Sequence, residues 1–296
     1  MRVFVTGATG FIGTKVVKEL LGAGHTVLGL TRSDAGAEAL VKAGAEVHRG
    51  DINDLDSLRA GAAQADGVIH LAFIHDFTKL VENCETDRRA IVALGAALAG
   101  TDRPLIVTSG TGMARGEEGV AATEDDKRVS SKVIPRAASE EAVDALAERG
   151  VRAMVVRLPQ VHDTVKQGLV SYAIRIAREK GVVAYVGDGQ SRWPAAHVTD
   201  VARLYRLVLE KGIVGARYNA VAEEGVSAKE MFTVVGAGLK LPVVSLTAEE
   251  AKGHFGGLAI FFGRDSPASS AKTRREMGWE PNGPGMLEDL RNMKYA

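Results

Sequence analysis

Scarcity is the first signal in this chain. One cysteine, Cys84, stands in 296 residues, which excludes an intrachain disulfide and a multi-cysteine metal site and suits a reducing compartment. Neither sign of charge is in excess, with 37 Lys and Arg against 37 Asp and Glu. No basic face therefore asks for nucleic acid or an anionic membrane, and a small molecule is the expected partner. Long hydrophobic runs are missing too. Gly7, Gly10, Gly13 and Lys15 break the apolar N-terminal stretch, so neither a signal peptide nor a membrane span is expected and the cytoplasm is the default location. Internal repeats and low-complexity tracts are likewise absent.

What remains is the composition of a globular protein, 46% apolar and 25% charged, enough for one large domain or two unequal ones. Short β-branched or apolar runs (2–6, 26–31, 46–48, 68–72, 105–108, 153–158) alternate with amphipathic segments expected as helices at 11–23, 35–43, 55–63, 84–99 and 136–149. Strict alternation implies parallel strands, whose long crossovers cover both faces, so the expected fold is α/β with a doubly wound parallel sheet. Residues 1–160 form this unit. Residues 161–296 are expected to build mainly a smaller substrate-covering region, with pieces such as Ala216–Val221 returning to the sheet. A helix is expected near 166–180, and another at 201–210 behind the cap candidates Thr199 and Asp200. The polar stretch from Gly112 to Ser131 looks most like a linker.

Between the first strand and first helix lies VTGATGFIG, with Gly7, Gly10 and Gly13 three apart. Such glycines allow a tight turn, close backbone approach to a pyrophosphate and close packing of helix on strand, while the helix N-terminus offers N–H groups. The end of the second strand should then choose the dinucleotide. An NAD site usually places a carboxylate there, about twenty residues on, whereas this chain has Leu30, Thr31, Arg32 and Ser33. Arg32 suits a 2′-phosphate or is a solvated loop charge. Asp34 reads more simply as a helix cap, and Asp51 reads equally as an adenine contact or a cap.

In order, TGATGFIG at 6–13, GD at 50–51, HLA at 70–72, TSGT at 108–111, VVRLPQVH at 155–162 and GDGQSRWPAAHVTDVA at 187–202 resemble the extended, atypical short-chain dehydrogenase/reductases of the epimerase/dehydratase-like kind. The resemblance implies a Rossmann domain with substrate held over the nicotinamide by the C-terminal part. It implies cofactor contacts from Gly7, Thr9, Gly10, Phe11, Ile12, Gly13, Arg32, Ser33, Asp51, Ile52, Leu71, Ala72, Phe73 and Pro159, with Val161 and His162 in the nicotinamide loop. NADP, as NADPH, is the preferred cofactor and NAD is also accepted.

In such proteins a Ser or Thr and a Tyr-x-x-x-Lys helix do the proton chemistry. By resemblance Ser109 or Thr111 keeps the first role, unless it only satisfies backbone at a strand end. The helix puts Arg136 at the tyrosine position and Glu140 at the lysine position, and no Tyr-x-x-x-Lys occurs anywhere. A guanidinium cannot replace a phenol as acid, though it can bind an oxyanion or a carboxylate substrate. Glu140 is read as accepting from a ribose hydroxyl, or as the i,i+4 partner of Arg136. His75, with Asp76, is the best local substitute for the acid, and Tyr172, Tyr185 and Lys132 are further candidates. No metal site is expected.

The chain therefore reads as an NAD(P)-dependent oxidoreductase acting on a small carbonyl, hydroxyl or enone, and a homodimer is compatible with it. A sugar-nucleotide epimerase or dehydratase and a non-catalytic nicotinamide sensor are the alternatives.

Overall fold

The computed structural model describes residues 1–295. Its first part alternates strand and helix: β1 (Arg2–Thr6), α1 (Phe11–Gly22), β2 (Thr26–Thr31), α2 (Asp34–Ala43), β3 (Glu46–Arg49), α3 (Leu55–Ala63), β4 (Gly67–His70), α4 (Leu80–Leu98), β5 (Leu105–Gly110), α5 (Ala138–Ala147) and β6 (Ala153–Leu158). There follow β7 (Gln160–His162), α6 (Val170–Lys180), β8 (Val183–Val186), β9 (Arg192–His197), α7 (Val198–Lys211) and β10 (Arg217–Asn219). The chain ends with β11 (Glu223–Ser227), α8 (Ala228–Leu239), β12 (Val243–Leu246), α9 (Ala248–Phe255), α10 (Ala259–Phe262), α11 (Ala271–Met277) and α12 (Met286–Asn292).

Seven strands form one sheet in the order β10-β6-β5-β4-β1-β2-β3, and every neighbouring pair is parallel. The inner strands read as near-continuous apolar runs because both faces are covered. On one face α1 and α7 pack Val16, Leu20, Leu204 and Val208 against Val3, Val5 and Ile69. On the other, α3, α4 and α5 supply Leu58, Leu94 and Val143 against Phe4, Val68 and Val107. A third core under α6, α8 and α9 gathers Trp193, Phe232, Phe255 and Phe262, with the last two rings stacked at 4.2 Å. The strand order reverses between β1 and β4, and the crevice beyond their C-terminal ends is where such sheets bind ligands.

Several local expectations shift. The helix expected from Arg136 opens as a 3-10 turn, Pro135–Ala137, since proline fits a first turn where an N–H would be unpaired. α6 starts at Val170 rather than Lys166: the preceding residues curl back, Gln167 Nε2 donating to the Asp163 carbonyl at 2.6 Å, and Gly168 takes φ +46°. His197, not Thr199 or Asp200, caps α7, accepting from Thr199 N. Asp200 is buried and accepts from Gly283 N at 2.8 Å.

The linker-like stretch is no free linker. Ala122 N donates to Pro267 O at 2.9 Å and Ser269 N donates to Ala122 O at 2.8 Å. The buried Glu124 carboxylate accepts from Thr273 N at 2.9 Å and from its hydroxyl. Among the described residues no helix is long and apolar enough to cross a membrane.

Candidate active site

The glycine loop is built by exclusion. Gly7 sits at φ +66°, and a Cβ there would lie 2.8 Å from Ala72 N and 2.9 Å from the Leu71 carbonyl carbon. A Cβ on Gly13 would stand 2.0 Å from Gly7 O. The loop therefore folds tightly against the end of β4 only with glycine at both places. Gly10 occupies the N-cap of α1, offers no capping side chain, and is followed by a first turn without an acid. By contrast α2 is capped by Ser33 and α3 by Asp54. The open N–H groups at Phe11, Ile12 and Gly13, with the positive end of the helix, suit a pyrophosphate. The residues present thus fit a dinucleotide, with exposed Thr9 at the loop tip.

At the end of β2, Arg32 is 81% exposed and its nearest acid is Asp51, 3.5 Å away. Asp51 Oδ1 accepts from Asn53 N at 3.0 Å and from Asn53 Nδ2 at 2.6 Å. Hydrogen bonds from Asn53, aided by Arg32, hold this carboxyl below its ordinary value. Ser33 Oγ accepts from Gly36 N at 3.1 Å, so Ser33 is the cap of α2, whereas Asp34, read as the cap, pairs with Arg49 at 2.6 Å. The Ile52 side chain lies in the core, leaving its backbone as the part that can face a ligand.

Beyond β4, the Thr6 hydroxyl oxygen accepts from Leu71 N and Ala72 N, each at 3.2 Å. Its single proton is then free to go to His70 Nδ1 at 2.8 Å, which leaves His70 Nε2 to donate to Asp87 Oδ1 at 3.0 Å. The other Asp87 oxygen accepts from Ser139 Oγ and, at 3.0 Å, from Arg136. Burial pushes the Asp87 carboxyl up, but Arg136, His70 and Ser139 outweigh burial and keep it below its usual value. Arg136 also donates to Thr108 O at 2.8 Å and lies 4.4 Å above the Phe73 ring. Thr108 in turn bonds the buried Tyr205 hydroxyl at 2.7 Å, whose pKa burial drives upward.

The residues assigned to the catalytic helix thus part company. Arg136 reaches the cleft edge, while Glu140 has no exposed surface and takes Arg157 Nε and a terminal nitrogen at 2.9 Å each. Burial raises the Glu140 carboxyl and this bidentate partner lowers it further, so the net shift is downward. Glu140 accordingly has no face for a ribose, and it makes no helix-surface pair with Arg136. Ser109 is buried, its hydroxyl near the Glu140 carboxylate that it helps hold low, on the strand face that carries Arg157 in register beside it. Thr111 stands past the end of β5, its Oγ1 3.5 Å from Leu158 O.

His75 is exposed on the loop after β4, its Nδ1 3.1 Å from Phe73 O. Partial desolvation, then the charges of Arg136 and Lys166, hold its pKa below the ordinary histidine value. Asp76 caps its own turn, accepting from Thr78 N and Oγ1. Pro159 is partly exposed between β6 and β7, but Val161 and His162 turn inward. His162 is buried against Asp289 at 2.7 Å. Trp193 packs in the third core, and Arg192 pairs with Asp265 at 2.7 Å. Tyr172 meets Phe77 edge-on at 5.6 Å, joining the covering region to the β4 loop.

Asp87 and His70 had no assigned place in the site. One sign of Asp87 was legible: with Cys84, Ile91 and Leu94 it lies on the buried stripe of α4, where an acid requires a partner.

A model of the NAD dependent epimerase/dehydratase family matches residues 3–220. The chain belongs to that family. It is 45% identical over 298 residues to an uncharacterized protein of Schizosaccharomyces pombe, with 100% of both chains covered. It is 26% identical to a UDP-glucose 4-epimerase of Streptomyces lividans, over 95% of this chain and 92% of that one. In fold it is similar to DesIV, a dTDP-glucose 4,6-dehydratase of Streptomyces venezuelae solved with NAD and TYD bound (TM-score 0.79, 20% identity, 99% and 96% covered).

Proposed function

We propose that this protein is an NAD(P)-dependent oxidoreductase acting on a small carbonyl, hydroxyl or enone compound without a Tyr-x-x-x-Lys pair. The observation that carries this reading is the uncapped N-terminus of α1, pressed by Gly7 and Gly13 onto the end of β4. Backbone N–H groups of residues 11–13 would hold the pyrophosphate, Asp51 the adenine side, and Leu71, Ala72, Phe73 and Pro159 the nicotinamide side. Arg32 and Ser33 favour NADPH over NADH, with NAD still accepted. Once bound, the dinucleotide supplies hydride transfer.

The remaining need is a proton at the substrate oxygen. His75 Nδ1 faces a carbonyl and therefore carries hydrogen, so Nε2 is the nitrogen that exchanges protons. Its depressed pKa leaves Nε2 bare at neutral pH, the state of a base for alcohol oxidation. Reduction asks for the protonated ring and so for lower pH. Ser109 and Thr111, both buried at the end of β5, are the hydroxyls that would orient the substrate.

A second reading, a non-catalytic nicotinamide sensor, is favoured by one observation: both helix positions that would carry the family's proton chemistry are tied into internal ion pairs. Following NADPH absorbance against a panel of small aldehydes, ketones and enones separates the two. Turnover supports the oxidoreductase; tight NADPH binding with no turnover of any carbonyl overturns it.

A further inference from the structure

Arg136 stands beside the end of β5, held to Thr108 O and to Asp87, and its charge is not free. Of its five N–H groups, two on one terminal nitrogen go to Asp87 and Ser139, and one on the other goes to Thr108 O. Among the described residues only Nε–H and one terminal hydrogen are left without a protein partner. Asp87 is 1% exposed and Arg136 19%, so water does little to screen the pair, and the two charges act outward as a dipole rather than as a lone cation. Asp87 itself is fixed from behind by His70, which Thr6 orients. A carboxylate brought to Arg136 would also face the Asp87 charge one guanidinium away, whereas a neutral carbonyl needs only the spare N–H.

We propose that Asp87 is a specificity-determining residue: by masking Arg136 it makes the site select uncharged carbonyl compounds over 2-oxo acids. This rests on the reading that the cleft beside Arg136 receives the substrate. Of the two ligands expected for Arg136, an oxyanion or a carboxylate, it keeps the first and drops the second.

Pyruvate and pyruvamide differ in little but charge and serve as probes. Their dissociation constants are measured by calorimetry on the full chain and on each variant, with and without saturating NADP+, and NADP+ affinity is measured separately in the same way. The wild-type protein should bind pyruvamide at least as tightly as pyruvate. Asp87→Asn should shift the ratio about tenfold toward pyruvate, and Arg136→Gln, which leaves Asp87 unmasked, about tenfold the other way. A wild-type preference of tenfold or more for pyruvate overturns the proposal, as does an unmoved ratio in a folded Asp87→Asn protein. Should Asp87→Asn not fold, the wild-type ratio and Arg136→Gln decide. Failure to bind NADP+ would instead sink the cofactor reading while the probe ratio still stands or falls on its own.

Discussion

Two helix starts lie along the same edge of the main sheet and are built on opposite principles. At α1 everything that could occupy the N-terminus is missing: no capping side chain, no acid in the first turn, no Cβ at Gly7, Gly10 or Gly13. At α5 the polar side chains are all engaged, Arg136 and Ser139 with Asp87, Glu140 with Arg157, and Glu141 with Arg88 and Ser131. Vacant donors invite a ligand, and satisfied ones hold a wall in place. The start of α1 stays open, and the polar side chains at the start of α5 are part of the framework.

If that contrast holds, breaking the wall should cost stability first. Glu140→Ala strands the buried Arg157 guanidinium, and removing one partner of a buried pair costs about 3–5 kcal/mol. Urea unfolding checks it, and a loss below about 1 kcal/mol would mean that α5 is not held by this pair. The opposite signature belongs to α1. Gly10→Val should lower dinucleotide affinity by about a hundredfold or more with little change in stability, because its Cβ crowds the phosphate approach more than the fold. Unchanged affinity in calorimetry would remove the cofactor site.

Next in size is His75. His75→Asn should cut turnover about a hundredfold, and it should erase a pH limb. In the wild type, reduction should speed up as pH falls through a His75 pKa set below the ordinary range, and oxidation should slow over the same interval. A profile identical in both proteins rules His75 out. The smallest effect concerns Arg32. A 2′-phosphate must draw it from Asp51 at an exposed site, so NADPH should bind about tenfold tighter than NADH, toward the low end for a charge-assisted bond. Arg32→Ala should erase that gap and leave NADH unaffected. Equal wild-type affinities would make Arg32 a surface charge only.

The open end of this comparison was readable in the sequence, and the closed end was not. Gly7, Gly10 and Gly13 act through local backbone, so their spacing carries their meaning, and alternating apolar runs gave the sheet. Glu140 and Arg157 are 17 residues apart and meet only because α5 crosses over β6. His70 and Asp87 need the end of β4 set against α4, and His162 finds Asp289 from 127 residues away. Side-chain pairing across elements follows packing, which spacing does not encode.

The stretch from Gly112 to Ser131 leaves β5, is stitched to residues 267–273 through Ala122 and Glu124, and comes back to start α5. It works as a tie-rod between the framework and the covering region. Phe77 against Tyr172 makes a second fastening on the β4 side. With both in place the covering region cannot swing away as a lid without parting backbone hydrogen bonds and a buried carboxylate. A ligand entering the crevice would therefore meet walls already set in place, with little of its binding energy spent on ordering them.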